Sequence, residues 1–257
     1  MNKDTLWLTQ KVITHRGLHD NKIYPENSLG AFEQAIEHGY GIEFDVYLTK
    51  DDELIVHHDL FIKRTCGKKG TVRKVDTSRL DEYKLYGTDY SIPRFKEVLA
   101  LVDGKVNLVI EIKRTHKVNA TCQKVWEALK DYKGKFCIES FDFNVVRWWH
   151  KHHPEIILGQ LCDVYILNKL AVRLFRHYKF VDFYAVGIDN LPSKYYRKLC
   201  TLNKNLKIIA WTVRTPESLK IASQNADNFI FETNTKNPEY IAPPSIENTY
   251  CHPDFRK

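Results

Sequence analysis

Two histidine-bearing segments, His15-Arg16-Gly17 and His57-His58-Asp59, flank a stretch, Gly41–Thr49, in which Glu43 and Asp45 stand at alternate positions. Side chains of an extended strand alternate faces, so Glu43, Asp45 and Tyr47 share one face while Ile42, Phe44, Val46 and Leu48 share the other. Alone, that pattern fits the solvated face of an ordinary antiparallel strand equally well. A third carboxylate changes the balance: in Val106–Lys113, Val109, Glu111 and Lys113 oppose Leu108, Ile110 and Ile112. Glu43, Asp45 and Glu111 make an oxygen set suited to one hard divalent cation, Mg2+ or Ca2+, with Mn2+ also admissible. Zinc would more often recruit the histidines. With the metal on oxygen, the histidines remain available for proton transfer.

Elements that could position these groups follow from periodicity. Apolar, β-rich runs occur near 12–16, 41–48, 54–58, 106–112, 136–140, 156–162, 183–187, 206–213 and 228–232. Helical patterns lie between many of them, over Leu29–His38, Phe95–Val102, Lys117–Asp131, Asn144–His153, Val164–His177, Ser193–Thr201 and Pro216–Asn225. Pro25-Glu26-Asn27-Ser28 supplies a turn and an N-cap for the first helix, and Gly39 ends it. Strand-helix alternation over 257 residues predicts an α/β fold, a TIM-type (β/α)8 barrel, in one domain covering residues 1–257.

Nine runs for eight places imply that one, 183–187 or 156–162, is irregular or outside the barrel. The link from Val46 to Glu53 is too short for a crossover helix but spans roughly 25 Å when extended. A parallel third strand starting at Leu54, after a turn at Lys50-Asp51-Asp52, would then bring His58 level with Glu43 and Asp45. Residues 59–90, rich in Lys, Arg, Gly and Tyr and without clear periodicity, are expected to be a small insertion after the third strand: a lid over the barrel mouth or a disordered loop.

Composition narrows the partners. A net charge of +7 favours anionic company such as phosphorylated metabolites. Neither zinc-finger spacing nor an aromatic RNA-binding signature is present, which argues against nucleic acid. The chain lacks a run of about 18 apolar residues, and residues 1–10 contain no signal-peptide core, so a cytoplasmic location is expected. Cys66, Cys122, Cys137, Cys162, Cys200 and Cys251 are spread singly, as free thiols in a reducing compartment would be.

Along nearly the whole chain the motifs resemble one known family. His15-Arg16-Gly17, Pro25-Glu26-Asn27-Ser28, Glu43-Phe44-Asp45-Val46, Thr49-Lys50-Asp51, Val56-His57-His58-Asp59, Glu111-Ile112-Lys113, Ser140-Phe141 and Trp211-Thr212-Val213 occur in the order seen in glycerophosphodiester phosphodiesterases. The resemblance implies a barrel related to phosphatidylinositol-specific phospholipases C and hydrolysis of small-molecule glycerophosphodiesters to sn-glycerol 3-phosphate and an alcohol. It implies His15 and His58 as the acid-base pair, and Glu43, Asp45 and Glu111 as metal ligands. By the same resemblance Arg16 and Lys113 contact phosphate and Trp211 walls the pocket. Ser28 stands where the family usually has Thr, and Ile230–Asn234 departs from the family's usual Thr-Asp-x-Pro ending.

Other histidines and basic stretches have plainer explanations. His57 has the opposite parity to His58 and is expected to face helices or to support the site. Glu139 is expected in a supporting or solvated role, and Asp59 to orient a loop or its neighbouring histidine. His150-Lys151-His152-His153 sits at a helix end before Pro154, where cations suit the dipole. The stretch Tyr165–Phe180 reads as an outer barrel helix in preference to a membrane-surface segment. Two rival functions stand beside hydrolysis of soluble diesters: a phospholipase-type enzyme acting at a lipid surface, and a non-catalytic phosphate-binding barrel.

Overall fold

The computed structural model describes residues 3–163, 179–191, 193, 196 and 206–233. Two compact units divide the chain: Thr14–Phe136, and Met1–Ile13 with Cys137–Lys257. Nine strands are described, the eight of a (β/α)8 barrel plus one more.

In the unit Thr14–Phe136 the central elements are β2 (Gly41–Leu48) and β4 (Leu108–Ile112), paired in parallel with Asp45 opposite Glu111. Every residue of both strands is buried. Burial on both faces is how a parallel strand differs from a half-solvated antiparallel one, so the carboxylates of β2 do not point into bulk water. The short β1 (Ile13–His15) delivers His15, and Thr14 anchors it by donating its hydroxyl to Gly41 O at 2.9 Å.

Helix α1 (Leu29–Glu37) starts where Ser28 Oγ accepts the Ala31 N–H at 3.1 Å, and Gly39 follows it at φ +67°. Its Phe32 lies 5.6 Å from Phe44 on the apolar face of β2, and Phe44 lies 5.9 Å from Phe95, the first residue of the third helix. Three aromatics thus fix the face of β2 that turns away from the carboxylates.

The third strand differs from expectation. β3 (Leu54–Val56) runs antiparallel to β2, with Val46 opposite Val56 and Leu48 opposite Leu54. A five-residue loop closes the hairpin: Thr49 N–H donates to Glu53 O at 2.9 Å, Thr49 Oγ1 bonds Asp51, and Asp52 takes φ +59°. Connections this short join antiparallel neighbours, since a parallel return needs a dozen residues or more. β3 is therefore the surplus strand, and 156–162 and 183–187 are regular. His58 nevertheless reaches the carboxylates, because the ladder continues with His57 N–H donating to Asp45 O at 3.0 Å.

Residues 59–90 are folded. A short helix α2 (Lys63–Cys66) and 3-10 turns at Val72–Lys74 and Thr77–Glu82 enclose a small core of Ile62, Val72, Val75, Leu80 and Leu85, which packs with Tyr47, Ile55 and Ile92. Each buried aliphatic side chain contributes about 1.5–3 kcal/mol, which offsets the entropy of ordering a segment without long elements. The remaining helices of this unit are α3 (Phe95–Val102) and α4 (Val118–Leu129).

The other unit carries β5 (Phe136–Ser140), α5 (Phe143–His152), β6 (Ile157–Cys162), β7 (Phe183–Gly187), β8 (Lys207–Val213), α6 (Pro216–Asn225) and β9 (Asn228–Phe231). From β5 to β9 each strand pairs in parallel with the next. Gly159 sits opposite Phe183, and a Cβ at 159 would fall 2.1 Å from the Phe183 ring. At the last turn of α5, His152 Nδ1 lies 2.8 Å from Trp148 O and its ring stacks on Trp148, the end-of-helix role expected of that basic cluster. Cys66, Cys122, Cys137 and Cys162 form no disulfide among the described residues. The helix expected over 164–177, the basic-aromatic stretch Tyr165–Phe180 apart from Lys179 and Phe180, and nearly all of the helix expected over 193–201 lie outside the described residues, as do Cys200 and Cys251. No described helix is long and apolar enough to cross a membrane.

Candidate active site

Glu43, Asp45 and Glu111 each place a carboxylate oxygen within 4.8 Å of the others, and all three are buried. The parallel β2–β4 register produces this, setting Asp45 beside Glu111 while Glu43 lies two residues back on the same face. Lys113, two residues beyond Glu111, places Nζ 3.1 Å from Asp45 Oδ1 and 3.0 Å from Glu111 Oε1. Arg16 sits at the opposite side of Asp45, with Nε 3.6 Å from Oδ2, and its backbone N–H donates to Glu43 Oε2 at 3.1 Å.

Among the described residues, three carboxylates face the cationic side chains of Lys113 and Arg16, and Arg16 is also held by Glu26 at 2.8 Å. Proton affinities follow from that shortage. Burial opposes ionisation of Asp45, but Lys113, His58 and Arg16 outweigh it and hold the carboxyl well below its usual range. For Glu111 burial prevails, reinforced by the charge on Asp45, and the carboxyl rises to about 7 despite Lys113. Burial likewise works against the charge on Lys113, yet Asp45 and Glu111 raise its pKa. A buried all-oxygen cluster short of positive charge fits a hard divalent cation, which would return Glu111 to the carboxylate form.

His15 Nε2 lies 4.0 Å from Glu43 Oε2. The His-Arg-Gly turn that presents it is demanding: Arg16 takes φ +58°, and Gly17, at φ +81°, has no room for a Cβ, which would meet Ala31 of α1 at 2.9 Å. Asn27 also adopts a left-handed backbone, φ +57°, and in doing so aims Nδ2 at Asp45 Oδ2, 2.8 Å away. Non-glycine residues in this region cost about 1–3 kcal/mol each and are concentrated at functional sites.

His58 Nδ1 is 2.6 Å from Asp59 Oδ1. Burial pulls the His58 pKa below its ordinary value, against the carboxylates of Asp45 and Asp59. His57 points elsewhere, as its parity implied: its ring contacts Thr65 Oγ1 at 2.7 Å and Asp59 O at 2.8 Å.

Seven residues singled out from the sequence thus gather in one unit: His15, Arg16, Glu43, Asp45, His58, Glu111 and Lys113. Trp211 belongs to the other unit, where its ring packs edge-on against Phe141 with centroids 5.7 Å apart. Sequence reasoning missed Glu26 and Asn27 as parts of the site, reading Pro25–Ser28 as a turn and cap and as a family motif without giving either residue a role. The acid and amide immediately before the cap were the available signal. Glu26 is 4% exposed and accepts hydrogen bonds from Arg16, Arg64 and Tyr86.

Residues 15–230 match the family model described as the glycerophosphoryl diester phosphodiesterase family. A glycerophosphodiester phosphodiesterase of Caldanaerobacter subterraneus is 33% identical over 222 residues, which cover 81% of this chain and 88% of that protein. Among solved structures, a glycerophosphodiester phosphodiesterase of Thermotoga maritima superposes with a TM-score of 0.70 at 28% identity, covering 86% of this chain and 93% of that one. A phosphodiesterase of Oleispira antarctica, solved with the product sn-glycerol-3-phosphate, gives a TM-score of 0.74 at 22% identity, covering 88% and 93%. The fold is that of a (β/α)8 barrel enzyme, and the chain belongs to the glycerophosphoryl diester phosphodiesterase family.

Proposed function

We propose that this enzyme hydrolyses soluble glycerophosphodiesters to sn-glycerol 3-phosphate and an alcohol, with one divalent cation on Glu43, Asp45 and Glu111 and with His15 and His58 moving the protons. The single observation that carries the reading is the buried, charge-deficient carboxylate cluster, bordered by His15 at 4.0 Å and by the cations Arg16 and Lys113.

Bound there, a divalent cation would supply positive charge to the non-bridging phosphate oxygens. The protein's own groups do the rest. Arg16 offers a planar donor set to two phosphate oxygens and Lys113 a point charge, stabilising the negative charge that accumulates at phosphorus. One histidine takes a proton from the attacking oxygen while the other gives one to the departing alcohol oxygen, so the proton inventory balances. With Asp59 on Nδ1, His58 presents Nε2 for that transfer. Trp211 is assigned to the substrate pocket by its motif, and the chain is read as one phosphodiesterase barrel domain with 59–90 as its insertion. The product-bound relative supports the choice of a small-molecule glycerophosphodiester as substrate.

The test is product identity. Phosphorus NMR of glycerophosphocholine incubated with the metal-loaded enzyme should show the diester signal replaced by sn-glycerol 3-phosphate. Accumulation of phosphocholine instead would place cleavage on the wrong ester bond and overturn the reading.

A further inference from the structure

Arg64 touches none of the three clustered carboxylates, yet it is the hub of a continuous run of charge-assisted hydrogen bonds that ends on His58. Its guanidinium forks onto Glu26, with Nη1 2.8 Å from Oε2 and Nη2 2.7 Å from Oε1. The third nitrogen, Nε, lies 2.6 Å from Asp59 Oδ2, and the other oxygen of that carboxylate lies 2.6 Å from His58 Nδ1. Tyr86 completes the clamp: its hydroxyl donates to Glu26 Oε2 at 2.9 Å and accepts from Arg64, whose guanidinium lies 6.0 Å from the centre of the Tyr86 ring.

A rigid fork fixes direction as well as charge. Glu26 is buried and its Oε1 is also held by Arg16, which fixes the carboxylate that the two Arg64 nitrogens grip. Nε is then aimed in one direction, and it seizes one oxygen of Asp59 so that the other must face His58. With both oxygens committed, Asp59 stays ionised; against partial burial, its bonds to Arg64 and His58 hold it at about 2. An ionised carboxylate on Nδ1 keeps the hydrogen there and sets the ring plane, leaving Nε2 to exchange protons. Arg64 itself comes from α2 in the 59–90 segment, whose last turn is closed by Gly67 at φ +66°.

From this geometry we propose that Arg64 is a positioning residue for His58, acting through Asp59, and that this contact couples the folded 59–90 insertion to turnover; the inference rests on the reading above that His58 moves a proton. Loss of Arg64 would leave Asp59 free to rotate and His58 free to turn with it. Misplacing a proton-transfer group by about 1 Å costs on the order of 100-fold in rate.

Steady-state kinetics on glycerophosphocholine with added divalent cation test it, using wild type, Arg64→Gln, Asp59→Asn and the double variant. Arg79→Gln serves as the control, an exposed arginine of the same segment that pairs with Glu82. Arg64→Gln is expected to lower kcat about 10–100-fold with KM altered less than about threefold. In the Asp59→Asn background the same substitution should change kcat by less than about threefold, because the path it acts through is already cut. Arg79→Gln should match wild type. A general loosening of the segment would instead lower kcat by similar factors in both backgrounds, and that result overturns the inference, as does an Arg64→Gln enzyme with wild-type kcat. If Arg64→Gln does not fold, Asp59→Asn decides: a 10–100-fold fall in kcat at unchanged KM supports the relay, and an unchanged kcat overturns it. A wild-type enzyme silent on glycerophosphodiesters overturns the functional reading as well, whereas active wild type with no Arg64 effect overturns the inference alone.

Discussion

Asp45 on β2 and Glu111 on β4 are register partners in a parallel ladder whose proton affinities part: against its burial, Lys113, His58 and Arg16 hold Asp45 well below the usual carboxylate range, while burial pushes Glu111 up to about 7. Lys113, within hydrogen-bonding distance of both, cannot compensate the pair fully once Glu43 is added. In the metal-free protein, Glu111→Gln should therefore leave the thermal midpoint unchanged or raise it, since it removes a charge the site does not balance. Added Mg2+ or Ca2+ should stabilise the wild type by about 2.7 kcal/mol at 100 times Kd, and Glu111→Gln should lose most of that shift. Thermal melting with and without chelator checks both halves.

The two histidines are expected to separate turnover from metal binding. His15→Ala and His58→Ala should each lower kcat by about 10²–10⁴-fold while retaining the metal-dependent rise in thermal midpoint. Robust turnover in either variant would remove that histidine from the mechanism.

Acid should weaken the Glu26–Arg64–Asp59 clamp. Both carboxyls are depressed below their unfolded values: burial works against this, but it is outweighed at Glu26 by Arg64 and Arg16 and at Asp59 by Arg64 and His58, which bring Asp59 to about 2. A depressed carboxyl contributes stability that is complete above its unfolded pKa and is lost as pH falls through the folded one. The contribution is thus full at neutral pH and drains away below about pH 4. Glu26→Gln should cost on the order of 2–3 kcal/mol at pH 7, below the full cost of breaking a buried pair because Arg64 is partly exposed. Its deficit relative to wild type should shrink as pH approaches 2, which urea titrations at pH 7 and pH 3 will measure.

Gly17 cannot accept a side chain without moving the turn that presents His15 and Arg16. Gly17→Ala combines a φ of +81° with a Cβ 2.9 Å from the Ala31 backbone. A loss of about 1–3 kcal/mol of stability should accompany a fall in kcat, seen in a melt and a turnover assay on the same preparation. Retention of full activity would mean the turn does not position the histidine.

Much of this was legible from residue patterns alone. Glu43, Asp45 and Glu111 could be assigned to one site because strand parity is a local property, and Ser28 and Gly39 bounded α1 through equally local capping chemistry. The direction of β3 was not legible: period-two alternation is the same in parallel and antiparallel strands, and Lys50-Asp51-Asp52 lacks the Asn-Gly or Asp-Gly signature of a tight hairpin. Arg64 was invisible for a different reason. Its partner Glu26 lies 38 residues earlier, and nothing in a run of Lys, Arg and Thr marks which cation will meet a buried acid. The order within 59–90 was hidden as well, because its apolar residues are spaced to fill a small irregular core and follow no helix or strand period.

The most direct measurement is release of sn-glycerol 3-phosphate from glycerophosphocholine, glycerophosphoethanolamine and glycerophosphoglycerol after exhaustive chelation and again after Mg2+, Ca2+ or Mn2+ is restored. Activity abolished by chelation and recovered with at least one ion is the expected result. Undiminished release in the chelated enzyme would contradict the carboxylate-bound cation, and silence under every condition would contradict the hydrolase reading itself.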